Sequence, residues 1–525
     1  MSSEVTLRSG DSPFCLDDKA ETARLSRLQL LGIAGIYIGV LLASSGDTLV
    51  VAVYNSIGSD FHDLSKGAWL LVSYSLGSCI SSPTFGALDE LFGRKTTLLW
   101  TYFLFAAGNI LCGASTSMPQ LVAARVLVGL TSAGIISSSS ATVTGLIPSD
   151  KATWLRSYAD VANTIGRSVG AAVGFLFTKT IGWRWCFYSN VPLILLCAFI
   201  VVHQIPPDSQ KSSQSMDDSL PSEVQSIDWA GIFTLTITLV QLILFIQTLQ
   251  PGQIQQARML YITGAGSIFS ISIFVWIETC WAHYPLLPLN SMKKAFGGYC
   301  LSQFLILSGR TGLLTSVVPY FTRANIGGDI TTLLAGGMLL VGLPFGGILA
   351  NHVVRRTRHY KRLGLITIIL LVLTYLVVFL RWREGIHIWE IVFLFPSGLA
   401  AGMFLATQFI GMTAELTGNN LIQCTGTYYL FQQLGRILGP AIGFALIQGN
   451  FQARLNWKLR GLPNTSELVR NILNDDKFSR TLPVPMQDVV RECYLYGFQF
   501  AALFSIFSTI AALPIVVLVR EAYLD

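Results

Sequence analysis

Asp47 is the first residue whose type and setting suggest chemistry. No other charge falls between residues 28 and 59. An ionised carboxylate in so apolar a stretch is costly, so it must take up a proton or find a cation. A carboxylate that gains and loses a proton as water reaches it from alternate sides is what proton coupling needs. The bland alternative is a fixed ion pair with a neighbouring helix. Arg125, Arg167, Arg310 and Arg436 also lie inside apolar runs. Gly129 and Ala133 follow Arg125 on one helical face, and small residues let a partner helix come close. Arg125 is therefore the sequence's candidate to hold Asp47 and release it on protonation. Arg167 and Arg436 each follow the first glycine of a G-x-x-x-G-x-x-x-G face and point beside it. Four such arginines against one central acid describe a cavity that accepts anionic or zwitterionic groups and disfavours a purely cationic cargo. Snorkelling or pairing with carbonyls is the structural alternative.

These residues need apolar elements around them, and the composition supplies them. Of 525 residues, 52% are hydrophobic and 12% charged, with mean hydropathy +0.56. Soluble domains carry about 25% charged residues, so a polytopic, all-α membrane protein is the expected class. A crossing needs about 20 mostly apolar residues. Runs of that kind fall near 28–54, 67–88, 96–114, 120–147, 155–178 and 185–204. Two more lie near 229–249 and 259–280. Six follow near 297–320, 331–351, 363–380, 388–412, 424–448 and 497–519. The expectation is 14 transmembrane helices.

Lys and Arg in the short loops place both termini in the cytosol. The cytosolic segments are then 1–27, 205–228 and 520–525, and the loop 449–496 lies outside. That loop holds the one N-x-[ST] triplet, at Asn464, a glycosylation acceptor if it is exposed there. It is expected to form a short surface helix. Trp69, Trp183, Trp185 and Trp229 read as interface anchors.

The chain also repeats itself. Gly86–Lys95, after the second run, matches Gly347–Arg356, after the tenth, in Gly, Leu and Arg positions. Gly166, Gly170 and Gly174 match Gly435, Gly439 and Gly443, with Arg167 and Arg436 in step. Residues 28–204 and 297–519 thus read as two pseudo-symmetric six-helix bundles, with 229–280 as two inserted helices. Such a repeat points to a transporter that rocks about a midplane site. The glycine faces themselves read as packing devices.

At these residues the chain resembles the major facilitator superfamily, and within it the fungal fourteen-helix drug:proton antiporter family. Gly86–Lys95 matches G-x-L-x-D-x-x-G-R-K, with Glu90 in place of Asp. Asp47–Val51 matches D-x-T-x-V. Arg125–Gly129 matches R-x-x-x-G. Gly182–Pro192 matches G-W-R-W-x-F-x-x-N-x-P. The fifth-helix motif G-P-x-x-G-G is altered to Gly170-Ala171-Ala172-Val173-Gly174-Phe175. Trp69–Leu76 also resembles fungal vacuolar basic amino acid transporters. The resemblance implies proton-coupled alternating access, with export of drugs or toxic metabolites as the main reading and vacuolar amino acid transport as the alternative. It implies a gating loop at Gly86, Glu90, Gly93 and Arg94, a small-molecule substrate, protons, a monomer in a lipid bilayer, and either the plasma or the vacuolar membrane.

Other classes lack their residues. Gly93-Arg94-Lys95-Thr96-Thr97 has no upstream phosphate cradle, so an ATP motor is not expected. His62, His203, His283, His352, His359 and His387 lie in loops or near span ends, and no H-E-x-x-H or G-x-S-x-G occurs. No enzyme activity, cofactor or metal is expected. A charge of +6, spread thinly, is no nucleic-acid footprint. The nine cysteines lack metal or disulfide spacing. A non-transporting nutrient sensor would need a longer cytosolic tail.

Overall fold

The computed structural model describes residues 27–62, 67–145, 149–205, 229–248, 257–281, 295–323, 329–383, 388–415, 420–460, 465–474, 476–519 and 521. Among them there are helices and no strands. In a bilayer every backbone polar group must be satisfied within the segment, and a helix does this alone. Ten of the described helices are long and apolar enough to cross a membrane, and Ala230–Ile246 and Val341–Val354 are shorter apolar ones.

In chain order the helices are α1 (Arg27–Asp60), α2 (Gly67–Phe92), α3 (Arg94–Ala114), α4 (Met118–Gly145), α5 (Ser149–Thr180), α6 (Trp183–Tyr188) and α7 (Asn190–Gln204). Next come α8 (Trp229–Thr248) and α9 (Ala257–Cys280). Then follow α10 (Ala295–Arg323), α11 (Asp329–Thr357), α12 (Tyr360–Arg381), α13 (Leu394–Glu415), α14 (Asn420–Lys458), α15 (Thr465–Asn474), α16 (Asp476–Thr481) and α17 (Val484–Leu518). A 3₁₀ turn, Ile388–Phe393, leads into α13.

Packing repeats along the chain. α1 lies along α5 as α10 lies along α14, and α2 lies along α4 as α11 lies along α13. The two sets meet where α2 touches α14 and α5 touches α11. α8 and α9 pack on each other, and an apolar cluster of Val72, Leu76, Leu235, Leu239, Phe274 and Ile437 joins them to α2 and α14.

Two breaks depend on glycine. Gly93, between α2 and α3, has φ +85°, and Gly182, between α5 and α6, has φ +111°. An L side chain is strained in both places. The turn at Gly93 brings Lys95 back to the end of α7. Its ammonium donates to the carbonyls of Val202 (2.9 Å) and Ile205 (2.5 Å), closing carbonyls that the helix leaves open.

The loop 449–496 differs from the simple span pattern. α14 runs on to Lys458 and α17 starts at Val484, so the two helices project beyond their apolar stretches. Lys458 pairs with Glu492 across the gap. α15 buries Val469 and Ile472 against the main core. Asn464 lies outside the described residues. Trp183 is also more than an anchor: it is buried, and its indole N–H donates to Asp60 at 2.9 Å.

Candidate functional site

Residues of α1, α2, α5, α10, α11, α13 and α14 line a cavity shared by the two sets of helices. Asp47, Thr48, Val51, Ser75, Arg167 and Leu307 line it, as do Arg310, Thr311, Leu314, Thr315, Leu343, Leu405, Arg436 and Pro440. The space open to water centres is about 60 Å³, several times the roughly 10–15 Å³ that one water needs. Part of the lining is apolar: Val51, Leu307, Leu314, Leu343 and Leu405. The rest carries one acid and three bases.

Close helix contact holds the charged groups in place. A Cβ added at Gly166, Gly170 or Gly174 would meet the α1 carbonyls of Leu41, Ser45 and Leu49. One added at Gly435, Gly439 or Gly443 would meet the α10 carbonyls of Phe304, Ser308 and Gly312. The glycines remove the side chains that would hold the helices apart. Thr48 Oγ1 then donates to the Arg167 carbonyl at 2.6 Å, and Thr311 Oγ1 to the Gly435 carbonyl at 3.4 Å. Both arginines leave these faces and turn into the cavity. Pro440 has no N–H to give the Arg436 carbonyl four residues earlier, so α14 loses one helical bond beside the charge.

The ion partner of Asp47 is Arg436. Arg436 Nη1 lies 3.8 Å from Asp47 Oδ2, and the two side chains are 11% and 21% exposed. The separation exceeds a hydrogen bond, and both groups border the open space. The pair also bridges α1 and α14, so it joins the two sets of helices.

Arg125 sits elsewhere. It is 1% exposed, its Nη1 donates to the Gly46 carbonyl at 2.8 Å, and its guanidinium lies 4.8 Å from the centre of the Tyr74 ring. Tyr74 in turn donates to the Ala43 carbonyl at 2.7 Å. Arg125 thus braces the turn that carries Asp47 and does not line the cavity.

One relation escaped the sequence reading. Ser45-Gly46-Asp47-Thr48 on α1 and Ser308-Gly309-Arg310-Thr311 on α10 are the same Ser-Gly-X-Thr segment. Ser45 and Thr48 meet Gly170 as Ser308 and Thr311 meet Gly439. Arg310 therefore holds the place on α10 that Asp47 holds on α1. Arg436 faces an acid, while its counterpart Arg167 shares the cavity with another arginine, and Arg167 and Arg310 interact electrostatically. Arg167 Nε is buried and has no hydrogen-bond partner among the described residues. The short motif was visible in the sequence, but the opposite charges at X hid it.

Beyond the cavity, toward the far end of α1, Tyr54 donates from its hydroxyl to the Thr315 carbonyl at 3.3 Å. This bond ties α1 to α10. Tyr54 and Phe444 also close over Gly67. At the opposite end Gly93 and Arg94 lie at the α2–α3 turn. The Glu90 side chain and the surroundings of Gly86 lie outside the described set. The buried acid Asp89 accepts from Ser138 Oγ at 2.7 Å, which fastens α2 to α4 near that turn. No cluster of three metal-ligating side chains occurs among the described residues.

The chain can now be compared with known proteins. The family model described as Major Facilitator Superfamily matches residues 36–440. The vacuolar membrane amino acid uptake transporter fnx2 of Schizosaccharomyces pombe is 25% identical over 93% of this chain and 84% of its own. Multidrug resistance protein 3 of Bacillus subtilis is 24% identical over 83% of this chain and 82% of its own. Among solved structures, a bacterial homolog to human lysosomal transporter, Spinster, inward-facing and unoccupied, aligns with TM-score 0.55. That alignment has 13% identity and covers 94% of this chain and 98% of that one.

Proposed function

The chain belongs to the major facilitator superfamily, and from that premise we propose that it is a proton-coupled exchanger of small organic solutes, working by alternating access. The observation that carries this reading is the Asp47–Arg436 pair at the cavity, joining the two sets of helices at 3.8 Å. While Asp47 is ionised the pair draws α1 and α14 together. Protonation removes the attraction and lets the sets rock apart. A cargo that needs the ionised acid then competes with the proton, which is the requirement for exchange. In this reading residues 28–204 and 297–519 are the moving bundles, with 14 crossings in all, and 229–280 is an insert that covers their α2–α14 seam. Gly86, Glu90, Gly93 and Arg94 form the gating turn. The molecule works as a monomer with both ends in the cytosol, and Asn464 is open to glycosylation outside.

Cargo leaves the cytosol against entering protons. The main reading is export of drugs or toxic metabolites, and the apolar lining of Val51, Leu307, Leu314, Leu343 and Leu405 suits a hydrophobic body. A second reading is amino acid movement at the vacuolar membrane. Three arginines around one acid favour it, because a bare lipophilic cation meets net repulsion there. The drive suffices for either: each tenfold proton ratio supplies about 1.4 kcal/mol, and each charge crossing 100 mV about 2.3 kcal/mol.

The test is Asp47→Asn in sealed vesicles with an imposed pH difference. The variant should reach the membrane in normal amount and lose pH-driven uphill transport, while downhill exchange of cargo survives. Full uphill transport by the variant would remove Asp47 from the coupling step.

A further inference from the structure

We propose that the turn between α11 and α12 holds the phosphate of an anionic phospholipid, with Arg356, Arg358 and Arg362 around the headgroup and the acyl chains along α12. The site is separate from the cavity and carries no assumption about cargo.

The two halves of the chain differ in charge at this turn. Gly86–Lys95 carries two acids, Asp89 and Glu90, and two bases, Arg94 and Lys95, for a net charge of zero. Gly347–Arg362, its counterpart with the turn that follows, carries Arg355, Arg356, Arg358, Lys361 and Arg362 and no acid. No Asp or Glu occurs between Asp329 and Glu384. Five bases beside a spanning helix are the composition that draws anionic headgroups. Orientation in the membrane accounts for bases in such a turn, but not for the way these are held.

The structure divides them. Lys361 is used within the protein: its ammonium donates to the Val517 carbonyl of α17 at 2.8 Å, as Lys95 donates to the end of α7. Arg356, Arg358 and Arg362 are exposed. Arg358 has φ +58°, a left-handed backbone that strains an L side chain. The turn between α2 and α3 gives its left-handed position to Gly93, at φ +85°, where no Cβ is strained. An arginine kept where glycine fits better points to a use for its charge.

The same turn already holds one anion, from the chain itself. Glu521 Oε1 accepts from the Lys361 backbone N–H at 3.3 Å and lies 3.5 Å from His359 Nδ1. One carboxylate offsets only part of the charge of five bases.

The occupant is a lipid and not free phosphate, because apolar surface continues from the arginines. Residues three or four apart share a helix face. On α12, Arg362 is followed on one face by Ile366, Ile369 and Leu373, all exposed. On α11, the exposed Ile348 leads through His352 to Arg356. Such surfaces on spanning helices meet lipid tails. Arginine forks match phosphate oxygens, so one phospholipid engages both the bases and the stripe below them. In the orientation proposed above, this turn borders the cytosolic leaflet, where anionic lipids reside.

The experiment uses purified full-length protein in detergent and dioctanoyl phosphatidylserine, with dioctanoyl phosphatidylcholine and inorganic phosphate for comparison. Binding is read as ligand retained on immobilised protein and as the rise in unfolding temperature. Phosphatidylserine should bind at least about tenfold more tightly than either comparison ligand. Arg356→Gln and Arg362→Gln should each weaken it about fivefold, the worth of one base near an anionic surface, and the double variant about 25-fold. Arg258→Gln, at an exposed arginine of α9, is the control and should bind as the wild type does. Arg358→Gly should unfold at the same temperature or higher without lipid, because the strain is relieved, and should gain less from phosphatidylserine. Equal affinity for phosphatidylserine and phosphatidylcholine overturns the proposal, and so does wild-type binding by the double variant. Inorganic phosphate matching phosphatidylserine would assign the turn to a soluble anion and overturn the lipid. None of these readouts requires transport, so they stand apart from the Asp47→Asn test.

Discussion

The segment Ser45-Gly46-Asp47-Thr48 and the segment Ser308-Gly309-Arg310-Thr311 are packed alike and charged oppositely. In both, the serine carbonyl and the threonine hydroxyl meet a glycine of the neighbouring helix, Gly170 in one set and Gly439 in the other. The backbone geometry is therefore repeated, and only the side chain at the third position differs. That one difference reverses the charge each segment brings to the cavity: an acid at Asp47 and a base at Arg310. One duplicated element can thus carry opposite charges without changing its packing.

The strongest way to break the comparison is to make the two segments alike. Arg310→Asp converts the second segment into a copy of the first. The cavity then holds two acids and two bases, and Arg167 gains a partner. Carboxylate cargo should be lost by about 100-fold or more, since one attractive contact is replaced by a repulsive one. An amine cargo should gain affinity. Competition binding on purified protein, with one amine probe and one carboxylate probe, reads both changes. Unchanged binding of both probes would show that the asymmetry has no part in recognition.

The next largest effect concerns what the two segments share. Gly170→Val and Gly439→Val should each destabilise by about 1–3 kcal/mol, the usual cost of overpacking, because both new side chains would strike the serine carbonyl of the facing helix. Gly337→Ala is the control. A Cβ at Gly337 meets nothing within 4 Å, and the change should be neutral or slightly stabilising. Thermal unfolding in detergent, followed by monodispersity, tells the cases apart. A mild Gly170→Val beside a severe Gly439→Val would mean that the two helix pairs are not equivalent.

Much of this was legible in the sequence because bilayer physics writes it there. Apolar runs of about 20 residues gave helix positions that the structure extends by a few residues at most in α2, α3, α4 and α8. Asp47, Arg167, Arg310 and Arg436 stood out because a charge in such a run is costly, and all four line the cavity. Pairing was not legible. Arg125 looked like the partner of Asp47 because small residues follow it, yet its guanidinium binds the Gly46 carbonyl one residue away from the acid. Which of four arginines reaches one carboxylate depends on helix rotation and crossing, and helical spacing alone does not carry that information. The ends of α14 and α17 were misplaced for a different reason. The extra turns are polar and are joined by the Lys458–Glu492 ion pair, and a search for apolar runs has no signal there.

The smallest effect sharpens the comparison away from the charges. Tyr54 lies two turns beyond Asp47 on α1 and ties that helix to the α10 carbonyl of Thr315 at 3.3 Å. The bond is long and buried, and a net contribution of about 1 kcal/mol is the ordinary value. Tyr54→Phe keeps the ring against Gly67 and Phe444 and removes only the hydroxyl. α1 and α10 should then separate at this level roughly fivefold more often, since about 1 kcal/mol corresponds to that ratio. A cysteine placed at Gln448, which borders the same small pocket as Tyr54 and Thr315, should react with an impermeant thiol reagent faster by a similar factor. Thiol labelling in the Tyr54→Phe background, compared with the cysteine variant alone, measures it. An unchanged rate would place that contact in packing, with Phe444 and Tyr54 rings holding it and the hydrogen bond incidental. A changed rate would show that the two sets of helices are coupled at two levels, by charge between Asp47 on α1 and Arg436 on α14 and by this hydroxyl between α1 and α10.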